Sequence, residues 1–139
     1  MSRGRDRDEA QRWLDAAAED LGAARAMAEA GFHAHACFSA QQGAEKSMKA
    51  VWYLIGSAPW GHSIQRLIEE FPMKDRLEDS EDLIEKARAL DRLYVPTRYP
   101  NGLPDLTPEK NYCAADSKHA IAFAEHFLGS LSSWAERWQ

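Results

Sequence analysis

Long apolar runs, paired cysteines and strand patterns are scarce or missing in this sequence of 139 residues. No apolar run approaches the roughly 18 residues of a membrane-spanning helix, so a transmembrane protein is not expected. The two cysteines, Cys37 and Cys113, have no metal-ligand spacing, and Cys37 is predicted to be a buried free thiol. Because no stretch alternates apolar and polar residues at length, the sequence does not predict β-strands.

Positive charge is also in the minority. Lys and Arg number 17 against 22 Asp and Glu, which gives a net charge of −5 and argues against non-specific nucleic-acid binding by the whole surface. A hydrophobic content of 45% with 28% charged residues is typical of one globular domain. The first ten residues, MSRGRDRDEA, lack the apolar segment of a secretory signal, so a cytoplasmic protein is expected.

Helical periodicity accounts for most of the chain. Apolar residues recur at three- and four-residue steps in five segments: Asp8 to Ala30, His33 to Ile55, His62 to Phe71, from Asp79 or Ser80 onward, and from Pro108 or Tyr112 to Trp138. Gly31 is expected to end the first helix. The pattern predicts a flexible N-terminus over residues 1–7 and, over 8–139, an all-α, up-and-down bundle of four to five helices.

The second predicted helix carries a polar string among its apolar residues: Gln41, Gln42, Glu45, Lys46 and Lys49. Glu45 precedes Lys49 by four residues, the favourable order for a helical ion pair. One interpretation is a polar seam that is satisfied inside the bundle or at its edge. The other is a cleft that takes a nucleotide or the side chains of a partner, with lysine as a phosphate-binding group.

A proline-rich loop precedes the last helix. Three prolines between Tyr94 and Asp105 stiffen it. An arginine beside a tyrosine, Arg98 and Tyr99, can hold a phosphate and stack on a base. Alternatively, Tyr99 packs against the bundle and Arg98 pairs with a carboxylate such as Asp91 or Asp105.

The histidines and the C-terminal tryptophans each have two interpretations. His62 either helps to cap its helix or belongs to the polar site. His119 and His126 share a helix face, but no carboxylate or cysteine pattern completes a metal site, so none is expected. Trp134 and Trp138 are core residues or, if exposed, part of a subunit interface.

Three segments in order resemble the HEPN domain family, and together they extend over nearly the whole chain. The second helix resembles the family signature as Phe32-x5-Phe38-x2-Gln41-Gln42-x2-Glu45-Lys46-x2-Lys49-Ala50. His62-Ser63-Ile64-x2-Leu67 resembles the start of the family's third helix. LDRLYVPTRYP, residues 90–100, resembles the loop before the last helix in stand-alone prokaryotic members, and Ala120-Ile121-x2-Ala124-Glu125 fits the final helix.

The resemblance implies a helical bundle that dimerises and acts with a minimal nucleotidyltransferase, as a pair of the toxin–antitoxin kind. Some family members bind nucleotides, and others are ribonucleases with an arginine followed after four to six residues by a histidine. That signature is absent, because the closest approach, Arg25 to His33, is one residue too long. We therefore expect a non-catalytic nucleotide- or partner-binding module without a cofactor, whose candidate residues are Gln42, Glu45, Lys46, Lys49, His62, Arg98 and Tyr99.

Two alternatives stay open. The first is a metal-independent ribonuclease that uses a non-standard set, such as Arg98 with His119 or His62, because RNA cleavage needs a general base and a cation that holds the phosphate. The second is a purely structural dimerisation domain with no ligand.

Overall fold

The computed structural model describes residues 3–138. It contains six helices in this range: α1 (Arg3–Glu29), α2 (His33–Leu54), α3 (Ile64–Glu69), α4 (Ser80–Asp91), α5 (Pro108–Asn111) and α6 (Ala114–Arg137). Short 3-10 turns at Lys74–Arg76 and Pro100–Gly102 interrupt the connections. No strand occurs among the described residues. The predicted all-α bundle is confirmed.

Helix α2 has almost the predicted length, ending one residue before Ile55. Glycines in left-handed conformations stand outside both of its ends, Gly31 at a φ of 89° and Gly56 at 79°. Only glycine adopts such angles without strain, so the chain turns where the sequence predicts it to turn. Helix α1, in contrast, begins at Arg3 rather than at the predicted Asp8.

Helices α1 and α2 approach closely at Gly43. A Cβ atom built there would lie 3.3 Å from the Ala17 carbonyl oxygen and 3.3 Å from Leu21 Cγ. A side chain at this position would therefore push the two helices apart. The absence of one lets α2 pack against α1 along its buried face.

Helix α1 runs antiparallel to α6, which packs on another side of α2. Arg7, near the start of α1, donates to the carbonyl oxygen of Trp138 at 2.8 Å. Arg25, near the end of α1, donates to Glu125 at 2.9 Å. These contacts join opposite ends of the two helices, as an up-and-down arrangement requires.

The core lies between the long helices. Its largest fully buried apolar side chains are Leu21, Met48, Val51, Ile64, Ile68, Leu83, Leu90, Phe127 and Leu131. Trp134 is 7% exposed, and its ring lies 5.6 Å from that of Phe71 and 5.3 Å from that of Trp138. Trp134 is thus a core residue. Cys37 is a buried free thiol, as predicted, whereas Cys113 is free and exposed.

The last helix, α6, begins at Ala114, close to the later of its two predicted starts, and Pro108–Asn111 forms the separate helix α5. Tyr112 and Cys113 have extended backbone angles between α5 and α6. The carboxylate of Asp116 accepts a hydrogen bond from the Cys113 backbone N–H at 2.8 Å, which caps the start of α6. Thr107 precedes α5 as predicted, but its side chain makes no capping hydrogen bond. Within residues 3–138, no helix has both the length and the apolar character needed to cross a bilayer.

Candidate functional site

Glu45 is the centre of a polar cluster on the inward face of α2. The residue is 3% exposed, and its Oε2 atom accepts a hydrogen bond from Lys49 Nζ at 3.0 Å. The amide groups of Gln41 and Gln42 donate to Oε1 at 3.3 and 3.5 Å. Gln42 also donates to Gln41 Oε1 at 2.8 Å. A buried carboxylate needs such donors, because an unpartnered one is costly.

The two lysines of the polar string pair with carboxylates on different helices. Lys49, with a side chain 12% exposed, stays with Glu45 and lies 5.9 Å from the centre of the Trp13 ring. Lys46 instead pairs with Asp20 of α1 at 2.8 Å, away from the Glu45 cluster. Each lysine therefore already has a carboxylate partner inside the bundle.

His62 joins the cluster from the loop before α3. Its Nδ1 atom lies 3.3 Å from Glu45 Oε2, while the side chain is 59% exposed. When His62 carries a hydrogen on Nδ1, this nitrogen donates to the Glu45 carboxylate. The opposite ring nitrogen, Nε2, has no hydrogen-bond partner among the described residues. The His62 ring also stacks on Tyr94, with centroids 4.9 Å apart and planes inclined by 18°.

The interpretation of His62 as a helix cap is wrong. Ser63 occupies the N-cap position of α3, and its hydroxyl accepts a hydrogen bond from the backbone N–H three residues later. Asp91, at the end of α4, accepts hydrogen bonds from the Ile64 and Gln65 backbone N–H groups at 2.7 and 3.1 Å and from the Ser63 hydroxyl at 2.9 Å. The cap leaves the His62 side chain available to reach Glu45.

The carboxyl group of Asp91 lies in an environment that opposes its ionisation. Burial raises its pKa, the hydrogen bonds from the start of α3 lower it in part, and the negative charge of Glu45 raises it further. The net pKa lies above the ordinary value. The electrostatic influence of Glu45 on Asp91 connects the α3 cap to the polar cluster.

Arg98 lies among aromatic rings on the proline-rich loop. Its Nε atom donates to the Tyr94 carbonyl oxygen at 2.8 Å. The guanidinium carbon lies 4.4 Å from the ring centre of Tyr94, 4.7 Å from that of Phe38 and 4.9 Å from that of Tyr99. These distances are typical of cation–π contacts. The Arg98 side chain is therefore held in place without a charged partner among residues 3–138.

The alternative interpretation, in which Arg98 pairs with a carboxylate, is wrong. Neither Asp91 nor Asp105 pairs with it, and no other carboxylate of residues 3–138 does so. Tyr99 is 50% exposed, so it covers Arg98 instead of being packed into the bundle. The side chain of Thr97, which precedes Arg98 in the chain, is buried and donates to the Leu93 carbonyl oxygen, which fixes the loop locally.

Contacts connect six of the seven predicted site residues. Gln42, Lys49 and His62 each touch Glu45, and Arg98 touches Tyr99. The ring of Tyr94 joins the two groups, because it contacts both His62 and Arg98. The seventh residue, Lys46, contacts α1 instead.

Tyr94 and Phe38 were not predicted as site residues. The available signal was spacing: Tyr94 precedes Arg98 by four residues, and Phe38 precedes Gln42 by four on the face of α2 that carries Glu45. Spacing of this kind indicates neighbours within one turn. It does not reveal that Phe38 of α2 and Tyr94 of the loop both contact Arg98.

The arrangement combines two chemical capacities. Glu45 orients the imidazole ring of His62, and the second ring nitrogen, Nε2, can take part in proton transfer. Arg98 presents a planar cation among rings, a setting that suits an anionic group attached to a flat ring system. The lysines add little free positive charge, since Glu45 and Asp20 balance them.

His119 and His126 lie on α6. His119 is exposed, and His126 Nε2 lies 3.5 Å from an Asp82 carboxylate oxygen. Across residues 3–138, no group of three or more His, Cys, Asp or Glu side chains has the arrangement of a metal site.

Comparisons with known proteins agree with this architecture. The family model described as the HEPN domain matches residues 10–134. A crystal structure of a protein from Thermus thermophilus has 34% sequence identity and a TM-score of 0.85, over 90% of this chain and 97% of that one. An archaeal HEPN homologue has 30% identity and a TM-score of 0.77, over 91% and 98%. A HEPN domain protein from Thermotoga maritima has 31% identity and a TM-score of 0.72, over 91% and 99%. The comparison with curated proteins gives no match.

Proposed function

We propose that this chain, which belongs to the HEPN domain family, is a non-catalytic nucleotide-binding module. It acts as a homodimer together with a minimal nucleotidyltransferase, as a pair of the toxin–antitoxin kind. The nucleotide binds where the Arg98 loop meets α2. The metal-independent ribonuclease and the purely structural dimerisation domain are the competing functions.

The setting of Arg98 is the observation that carries the nucleotide proposal. Its guanidinium group touches three aromatic rings and has no carboxylate partner among the described residues. A phosphate would supply the missing negative charge through bidentate hydrogen bonds. The half-exposed ring of Tyr99 offers a face on which a base can stack.

The Glu45 cluster supplies the polar edge of the same site. His62 is largely exposed and is oriented by Glu45, so its Nε2 atom can hydrogen-bond a base or a ribose hydroxyl. Gln42 is tied to Glu45 and Gln41, and Lys49 neutralises the carboxylate. These three side chains position the donor and acceptor groups, whereas Arg98 provides the charge.

Calorimetric titration with AMP, ATP and GTP tests this proposal. We expect binding to the wild type and a loss of at least about tenfold in Arg98→Met, the change typical of a lost charged hydrogen-bonded contact. Arg98→Lys should recover little, because lysine lacks the planar fork. The matched control is Arg66→Met, since Arg66 also lies over a ring, that of Trp60, but pairs with Glu70. Silence of the wild type at millimolar nucleotide would remove the nucleotide proposal.

The partner and the homodimer are tested separately. Light scattering of the purified protein measures its mass in solution, and a monomer at all concentrations would contradict the homodimer. Co-purification from the native host, or co-expression with a neighbouring nucleotidyltransferase gene, tests the partner. A dimer that binds neither nucleotide nor nucleotidyltransferase would instead support the purely structural dimerisation domain.

One observation favours ribonuclease activity as the second candidate. Glu45 orients the His62 imidazole, as a general base requires, and Tyr94 places it near Arg98. His62 would take the proton of a 2′-hydroxyl whose oxygen bonds to phosphorus, while the bond to the leaving 5′-oxygen breaks and that oxygen takes up a proton. His119 makes no contact with Arg98 in the described structure, so His62 is the better base.

Incubation with tRNA and mRNA tests the second candidate. Cleavage that is lost in both His62→Ala and Arg98→Ala would establish it and would replace the non-catalytic function. Intact RNA, or cleavage that persists in both variants, would exclude it.

A further inference from the structure

A second cationic surface borders the proposed nucleotide site. An open groove of about 390 Å³ lies between α3 and the end of α4, lined by Gln65, Arg88, Asp91 and Arg92. Arg88 lies in the last turn of α4, Arg92 follows four residues later at the cap position just past the helix end, and both are exposed. Like charges at this spacing repel and destabilise a helix slightly, so a bound anion would relieve the repulsion.

The two arginines of the groove are not neutralised by the protein. Neither forms an ion pair with a described carboxylate. Asp91 lies beside them in the groove wall, but both of its oxygens accept hydrogen bonds from the start of α3. Two guanidinium forks are therefore available for an external anion.

The groove is continuous with the Arg98 site through direct contacts. Asp91, in the wall of the groove, accepts a hydrogen bond from the Ser63 hydroxyl. His62 directly precedes Ser63 in the chain. The His62 ring stacks on Tyr94, over which the Arg98 guanidinium lies. A chain of direct side-chain contacts thus links the Arg98 site to the wall of the groove.

We propose that this groove is a polyphosphate subsite of the nucleotide site, so that the preferred ligand is a nucleoside di- or triphosphate and not a monophosphate. The inference rests on the proposed function. Arg98 and Tyr99 hold the nucleoside and its first phosphate, and Arg92 and Arg88 bind the phosphates beyond it. A guanidinium suits this role because it can bind two phosphate oxygens at once.

Titration of the full-length protein with AMP, ATP and inorganic tripolyphosphate tests the subsite. At constant ionic strength, we expect the wild type to bind ATP about tenfold more tightly than AMP, because exposed charge contacts contribute modestly. In the double variant Arg88→Gln/Arg92→Gln, ATP binding should fall to the level of AMP, while AMP binding stays unchanged. The double variant Arg12→Gln/Arg25→Gln removes the same charge from α1, where both arginines pair with glutamates, and should behave like the wild type.

The outcomes separate this subsite from the proposed function. Equal binding of AMP and ATP, both lost in Arg98→Met, would overturn the subsite and keep the nucleotide site. Tripolyphosphate binding that depends on Arg88 and Arg92, without any AMP binding, would support the subsite and overturn the nucleotide site. Binding of none of the three ligands would overturn both. Circular dichroism of each variant confirms that the fold is intact.

Discussion

The Nδ1 atom of His62 lies 3.3 Å from Oε2 of Glu45, so the loop before α3 is fastened to the middle of α2. The same carboxylate also binds Lys49, one turn further along α2. Glu45 therefore has two tasks: it balances a nearly buried lysine, and it orients an exposed imidazole. The first task concerns stability and the second concerns the proposed site, and substitutions can separate them.

Replacement of Glu45 by alanine should destabilise the protein by about 3 kcal/mol, because Lys49 would keep its charge in a nearly buried position without a partner. Urea denaturation followed by circular dichroism measures the change. The double variant Glu45→Ala/Lys49→Met should recover part of the loss. The matched control is Glu70→Ala, which breaks the exposed Arg66 pair at the same spacing and should cost under about 1 kcal/mol. Equal losses for the two glutamates would contradict this prediction.

Gly43 should be intolerant of a branched side chain. Gly43→Val places new atoms against the Ala17 carbonyl oxygen and Leu21, and we expect a loss of about 1–3 kcal/mol. Gly22→Ala is the comparison, because Gly22 lies inside α1 with open space around it. That substitution should stabilise the protein by about 0.5–1 kcal/mol through helix propensity alone. Thermal denaturation of both variants checks the prediction, which fails if Gly43→Val melts at or above the wild-type temperature.

The two cysteines should react at very different rates. Burial raises the pKa of the Cys37 thiol to about 12, and nearby acidic groups add to the effect, so little thiolate forms in the folded state. Cys113 is exposed. In mildly alkaline buffer, Ellman's reagent should modify one thiol quickly and the second only after denaturation. The fast reaction should vanish in Cys113→Ser, and a fast reaction that survives there would refute the assignment.

The raised pKa of Cys37 also predicts that the free energy of unfolding decreases at high pH. Because the fold favours the neutral thiol, its contribution is complete below the ordinary thiol pKa and is lost as the pH rises toward about 12. Relative to Cys37→Ala, the wild type should therefore lose stability in strongly alkaline buffer. Melting temperatures of both proteins across that range test the sign, and a constant difference would contradict it.

Asp91 should make stability fall as the pH rises through the mildly acidic range. Its pKa in the fold is raised, mainly by burial, so the folded state binds its proton more tightly than the unfolded state. The contribution is present below the ordinary pKa of aspartic acid and is lost as the pH passes the raised value. The melting temperature of the wild type relative to Asp91→Asn should decrease over this interval. A difference that is constant or increases with pH would contradict the sign.

The hydrogen bonds of Asp91 give a second comparison. Asp91→Ala removes the acceptor for the Ile64 and Gln65 backbone N–H groups, whereas Asp91→Asn keeps one carbonyl oxygen. We expect the alanine variant to be less stable than the asparagine variant by about 1 kcal/mol at every pH, as for a lost helix cap. Equal stability would indicate that Ser63 alone caps α3.

Much of the fold is predictable from local sequence. The range of α2 follows from its helix-forming composition and from Gly31 and Gly56 outside its ends. The ion pair of Glu45 with Lys49 follows from their spacing. The sequence left two starts open for the last helix, near Pro108 and near Tyr112, because the capping bond of Asp116 that sets the start of α6 is not visible in the residue pattern.

The composition of the candidate site is predictable only in part. Glu45 and His62 are 17 residues apart, and Asp91 caps a helix that begins 27 residues earlier in the chain. Periodicity indicates which residues share one helix face, but it cannot indicate which loop lies over that face. For the same reason, the sequence offered two carboxylates as partners for Arg98, whereas packing surrounded it with aromatic rings.

The sequence by itself determined that the chain forms helices, where the longest central helix begins and ends, and which family it resembles, because propensity, capping and helical spacing act between residues a few positions apart. Only the tertiary structure decided that Lys46 turns to α1 while Lys49 stays with Glu45, and that Tyr94 joins His62 to Arg98. These choices depend on which surfaces meet when the helices pack, and that information is spread over the whole chain.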